Sequence, residues 1–129
     1  MEQQRHTPSG KPYDLRERLL LFACDIVAMV QYLCGRGSVG VALSAQVLKS
    51  GTSAGANYEE ADDGSSPRDK LAKRKIVLRE LKETLFRLRV LRRTGLLPPA
   101  YDPLVQECLE LKKIVATLVN AAKSDGDQA

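Results

Sequence analysis

The chain reads as all-α, an antiparallel up-down-up-down four-helix bundle in one domain, and three observations carry that expectation. Apolar residues recur at alternating spacings of four and three over four long stretches, the period of a helix face and not of a strand. Gly and Pro gather at the three breaks between those stretches, so the connections are short enough to join antiparallel neighbours. Of the 129 residues, 43% are hydrophobic but only 5% aromatic, with no Trp, which favours an aliphatic helical core over a sheet rich in aromatic and β-branched residues.

Residues 1–13 are polar, carry Pro8, Gly10 and Pro12, and are expected to form a flexible tail. Asp14 followed three positions later by Glu17 resembles a capping box that opens helix one. Leu15, Leu19, Phe22, Ile26, Met29 and Leu33 make its apolar seam, and Gly35 and Gly37 end it. A second row, Leu20, Ala23, Val27 and Val30, widens the apolar face beyond one seam. Helix one therefore either lies centrally in the bundle or meets another subunit.

Helix two is expected from about Val39 to Asp63. Val47, Gly51, Ala54, Tyr58 and Ala61 share one face, and Ser50, Ser53, Asn57 and Glu60 a neighbouring polar one. Each interior Gly costs about 1 kcal/mol of helix propensity relative to Ala, so Gly51 and Gly55 imply close approach of another backbone. Gly64 as stop, Ser66 as N-cap, Pro67 at the first helical position and Asp69 in the first turn mark a break and restart. Helix three runs from there to about Thr94, with Leu71, Leu78, Leu81, Leu85 and Leu88 toward the core and Gly95 as its stop. Leu96 to Tyr101, containing Pro98 and Pro99, forms a rigid linker, and Asp102-Pro103 caps helix four. Its seam is Leu104, Cys108, Leu111, Val115, Leu118 and Ala122. The bundle thus covers 14–123, and 124–129 is expected to be a disordered tail. No internal repeat of about 20–50 residues competes with this reading.

Several function classes fall away. No apolar run approaches the roughly 20 residues needed to span a bilayer, and the N-terminal segment lacks the apolar centre of a signal peptide, so a cytoplasmic location is expected. Cys24, Cys34 and Cys108 sit inside apolar patterns without metal-type partners at useful spacing, which favours buried, reduced thiols over a disulfide or a metal site. No cofactor is expected. Gly51-Thr52-Ser53-Ala54-Gly55 matches the G-x-S-x-G of a hydrolase elbow, but that turn needs a preceding strand, and Val41 to Leu48 is helical in character. The sole histidine, His6, lies in the tail, leaving Ser53 without a general base. Small-residue helix packing explains the motif better.

Charge is distributed unevenly. Glu59, Glu60, Asp62 and Asp63 crowd the C-terminal end of helix two, where the helix dipole disfavours them. They call for cations, which Lys70, Lys73 and Arg74 across the turn can supply; a divalent-metal site has no diagnostic spacing here. From Arg68 to Arg93 there are 11 Lys and Arg against three Asp and Glu, in a chain whose net charge is only +4. Arg68, Lys75, Lys82 and Arg89 recur every seven residues, with Arg79 and Arg93 alongside, and line one stripe. Such a stripe can follow a phosphate backbone. It can also be a solvated face or the partner of an acidic subunit surface, and no aromatic platform or Gly-rich loop is evident beside it.

The ordered series Leu48 to Ala61 (LKSGTSAGANYEEA), Lys75 to Thr84 (KIVLRELKET), Leu88 to Leu91 (LRVL) and Thr94 to Leu97 (TGLL) resembles the bacterial four-helix-bundle family of 23S ribosomal RNA intervening-sequence proteins. The likeness spans roughly Tyr13 to Lys123, the fourth helix contributing only its pattern. It implies a left-handed bundle that assembles into a ring-like homopentamer, in a family without an established enzymatic activity. Some members are encoded within insertions in 23S ribosomal RNA genes, and distant relatives are basic accessory proteins of reverse transcriptases. The matching signature positions are Ser50, Gly51, Ser53, Gly55, Asn57, Glu59, Glu60, Lys75, Glu80 and Glu83. Where members often carry an aromatic pair after the Glu83-Thr84 position, this chain has Leu85-Phe86-Arg87.

The leading expectation is a non-enzymatic oligomeric scaffold that binds RNA or a ribonucleoprotein through the stripe, with Asn57 and Glu60 shaping an adjoining groove. Its rival is a protein-binding adaptor whose stripe pairs with acidic subunit or partner surfaces. A metal-assisted nuclease using the 59–63 carboxylates is a distant third.

Overall fold

The computed structural model describes residues 14–63 and 66–128, with side chains described through Ser124. Four helices, α1 (Leu15–Cys34), α2 (Ser38–Asp62), α3 (Pro67–Arg93) and α4 (Asp102–Gln128), follow one another with a 3-10 turn, Pro99–Tyr101, ahead of the last. Each packs on its neighbour in sequence, α1 on α2, α2 on α3 and α3 on α4, whereas α4 closes only slightly on α1. The chain is an all-α up-down-up-down bundle. The tail expected at 1–13 and the stop expected at Gly64 lie outside the described residues.

The boundaries follow local chemistry. The Asp14 carboxylate accepts a hydrogen bond from the Arg16 backbone N–H at 3.0 Å, and Ser66 Oγ accepts one from the Asp69 N–H at 3.2 Å with Pro67 opening α3. The turn from α1 to α2 takes three residues because Gly37 adopts a φ of 95°, a conformation that only glycine enters freely. Gly51 has a different task. A Cβ there would lie 2.9 Å from Ile26 Cγ1, so α1 and α2 touch where α2 has no side chain.

Leu19, Phe22, Ile26, Met29 and Leu33 of α1 meet Val47 and Ala54 of α2, Val77, Leu81, Leu88 and Leu91 of α3, and Cys108, Leu111 and Val115 of α4 in one core. Two seams differ from the sequence expectation. On α3 the buried row is Val77, Leu81, Thr84, Leu88 and Leu91, while Leu71, Leu78 and Leu85 are half-buried beside it. Counting leucines selected the flank, because Thr84 interrupts the true row. On α4, Val119 is buried in place of the expected Leu118, since a strict four-three repeat drifts from the 3.6-residue turn. Leu97, assigned to the linker, is fully buried as well, and its N–H donates to the Leu91 carbonyl at 3.0 Å.

Helix one is not central. Leu20 and Val27 of its second row remain 49% and 43% exposed, and Cys24 and Cys34 share that outer face and are exposed rather than buried. Only Cys108 meets the expectation for the thiols; burial, then the neighbouring Glu107 charge, pushes it up to about 12. At the other end, α4 continues as helix through Gln128, where a disordered tail was expected from Ser124. Ala121, Ala122 and Lys123 are strong helix formers, and the helical backbone runs on from them through Gln128. No helix among the described residues is long and apolar enough to cross a membrane.

Candidate nucleic-acid interface

Arg68, Lys75, Arg79, Lys82, Arg89 and Arg93 all project from the face of α3 opposite the core, and all six are exposed. At 1.5 Å per residue the row is about 37 Å long. Among the described residues none of the six joins an ion pair or a side-chain hydrogen bond. Other cations of the same helix are engaged: Lys73 Nζ reaches Glu60 at 2.8 Å, Arg87 lies 3.6 Å from Glu83, Arg74 stacks 6.0 Å from the Tyr58 ring centre, and Arg92 is hydrogen-bonded to Asp102. The helix thus sorts its charges. Those four meet a carboxylate or an aromatic ring, and the six turned outward meet neither among the described residues.

The acidic end of α2 finds its cations partly across the turn and mostly elsewhere. Lys73 answers Glu60, as the sequence suggested, but Arg16 of α1 answers the other three, with Glu59 at 3.3 Å, Asp62 at 3.8 Å and Asp63 at 3.2 Å. Periodicity along one helix cannot reveal a partner supplied by the far end of another. Among the described residues no group of three or more His, Cys, Asp or Glu side chains is placed to hold a metal ion.

The signature positions separate into distinct tasks. Ser50 is buried and accepts a hydrogen bond from Thr84 Oγ1 at 2.8 Å, a hydroxyl pair that joins α2 to α3 within the core. Thr84, absent from the sequence candidates, is therefore a polar tie and not a gap in the leucine row. Gly51 admits Ile26, whereas a Cβ on Gly55 would find Leu19 Cβ at an ordinary 3.5 Å. Ser53 donates to the Lys49 carbonyl and Asn57 to the Ser53 carbonyl, both within α2. That places Ser53 in mid-helix, far from a nucleophile elbow. Glu80 and Glu83 line a shallow cleft with Gln46, Lys49, Ser50 and Arg87; Asn57 and Glu60, expected to shape a groove, are not part of it.

Phe86 is the feature that sequence reasoning missed in the stripe itself. It is 66% exposed, more than any other large apolar side chain among the described residues. Its position, four residues after Lys82 and three before Arg89, sets it within the row of cations. The signal was present in the heptad spacing, where Arg79, Phe86 and Arg93 are also seven apart.

A solved structure gives the architecture its relatives. The crystal structure of a protein of unknown function from the S23 ribosomal protein family of Bacteroides thetaiotaomicron is similar to this chain, with 31% sequence identity and a TM-score of 0.74, over 81% of this chain and 97% of that one. The chain belongs to the S23 ribosomal protein family. This agrees with the resemblance to 23S ribosomal RNA intervening-sequence proteins. No family model and no curated protein matches the chain.

As a member of the S23 family the chain has one further site of interest, at the seam the bundle leaves loosely closed. Arg18 of α1, 6% exposed, forms a two-pronged pair with Glu107 of α4, Nε to Oε2 at 2.9 Å and Nη2 to Oε1 at 2.7 Å, and adds Glu110 at 3.2 Å. Beside this clasp lies a cavity of about 470 Å³ lined by Leu21, Phe22, Asp25, Tyr101 and Leu104 among others. Burial, then the Glu107 charge, holds the Asp25 carboxyl above its ordinary range.

Proposed function

We propose that this S23-family protein is a non-enzymatic, oligomeric cytoplasmic scaffold that binds RNA through the outward stripe of α3. The observation that carries the reading is the row of six exposed cations without a partner among the described residues. A run of like charge repels itself and gains most when an extended polyanion lies along it, because each phosphate neutralised releases counterions. The apolar outer row of α1, Leu20 and Val27 with Cys24, supports self-assembly, and the family resemblance suggests a homopentamer.

The test is RNA affinity as a function of salt, alongside native mass. With six phosphates engaged, the logarithm of the binding constant falls with a slope of about −4 against log salt for a single strand. Lys75→Glu with Lys82→Glu weakens binding at least tenfold at moderate salt and flattens that slope by more than 1 unit, about 0.7 for each lost contact. Unchanged affinity in the double variant refutes the RNA reading. A changed native mass or a lost protein pull-down in the same variant instead favours the adaptor, in which the stripe pairs with acidic subunit or partner surfaces.

A further inference from the structure

We infer that the stripe takes single-stranded RNA and that Phe86 is the platform on which an unpaired base stacks. The inference rests on the RNA reading above and names the substrate class of that same face. Three observations converge on it. Phe86 is two-thirds exposed, which in water leaves most of an aromatic ring without an apolar neighbour. It is set in the row of cations, with Arg79, Lys82, Arg89 and Arg93 at helical spacings of seven, four, three and seven residues, and the one carboxylate beside it, Glu83, lies next to Arg87.

Phe86 also forms one wall of a recess of about 260 Å³ between α2 and α3, whose other lining is Leu43, Gln46, Arg87, Val90 and Leu91. A flat apolar ring beside a small, mostly apolar recess suits a nucleobase: a face to stack and space beside it for the base to settle. Cations on both sides then hold the flanking phosphates.

The same features disfavour a duplex as the ligand. In an A-form helix the base faces are already stacked on one another, and only phosphates, 2′-hydroxyls and groove edges meet a protein. A phenyl ring has nothing to offer those groups. Charge complementarity likewise selects a polyanion with exposed apolar faces, and among polyanions single-stranded nucleic acid is the one that carries them at every residue.

The experiment measures binding of a labelled oligouridylate, and of an RNA duplex of equal length, to the full chain and to Phe86→Ala and Phe86→Trp. Because the ring is exposed, neither substitution disturbs the core, and circular dichroism melts verify this. The expected result is tighter binding of the single strand than of the duplex. Phe86→Ala then loses about tenfold for the single strand, Phe86→Trp retains or exceeds the wild-type affinity, and the salt slope stays unchanged because no phosphate contact is removed. Wild-type RNA binding with equal affinity in Phe86→Ala overturns the stacking role and leaves the basic-face reading standing. No RNA binding by the wild type overturns both. A drop in native mass on Phe86→Ala overturns the inference in favour of a contact between copies of the chain.

Discussion

The Arg18 clasp and the α3 stripe use the same side chains to opposite ends. Arg18 is buried, doubly hydrogen-bonded to Glu107 and tied to Glu110 across the seam between α1 and α4. The stripe cations are exposed and meet no carboxylate among the described residues. A charge the fold requires is held in fixed geometry by a partner on another helix, because a buried charge without one is too unfavourable. A charge left in water by the fold contributes little to holding it together. What remains in the stripe is therefore surplus to folding, and that surplus is what gives it a claim to function.

The sharpest way to break this contrast is Arg18→Ala. Removing the guanidinium takes from the buried Glu107 the two hydrogen bonds that Arg18 gives it, and the cost is about 3 kcal/mol in urea denaturation. Replacing both partners, Arg18→Met with Glu107→Leu, recovers part of that loss, since the double variant no longer buries a carboxylate that has lost its guanidinium. The Lys75→Glu, Lys82→Glu chain, by comparison, stays within about 0.5 kcal/mol of wild type, as surface changes do. A loss below about 1 kcal/mol for Arg18→Ala would show that the seam is held by something else.

A second contrast of smaller size lies within α2. At Gly51 an added methyl meets Ile26 Cγ1 at 2.9 Å, and at Gly55 it meets Leu19 Cβ at 3.5 Å. Gly51→Ala sets an overpacking cost of about 1–3 kcal/mol against about 1 kcal/mol of gained helix propensity, for a net loss of about 1 kcal/mol. Gly55→Ala keeps the propensity gain without the clash and raises stability by up to about 1 kcal/mol. Thermal melts with equal signs for the two would show that α1 and α2 do not approach as closely at Gly51 as the structure places them.

These residues also show what a sequence can disclose. Helix boundaries were legible because caps and stops act locally: Asp14, Ser66, Pro67 and Gly95 each do their work within a turn of where they stand. The stripe was legible for the same reason, being one face of one helix. Arg16 meeting Glu59, Arg18 meeting Glu107 and Thr84 meeting Ser50 were not, since each joins residues 34 to 89 positions apart and none leaves a periodic trace. Phe86 was hidden differently. Its spacing belongs to the stripe, but an aromatic in a helix is ordinarily counted toward the core, and only its exposure shows otherwise.

The smallest effect tests the seam from the side of its cavity. Burial, then the charge of Glu107, raises the folded-state pKa of Asp25 above its unfolded value. Between those two values the folded chain binds a proton that the unfolded chain does not, so stability falls as pH rises through that window. Above it the ionised carboxylate opposes folding in full, and below the ordinary carboxylate range it does not oppose folding at all. Asp25→Asn removes the term. The variant accordingly melts slightly above wild type at pH 7, and the gap closes on acidification through the carboxylate range. A variant less stable than wild type at pH 7 would mean that Asp25 is held by a favourable contact, and the cavity between α1 and α4 would then be a second place where the fold spends a charge on itself.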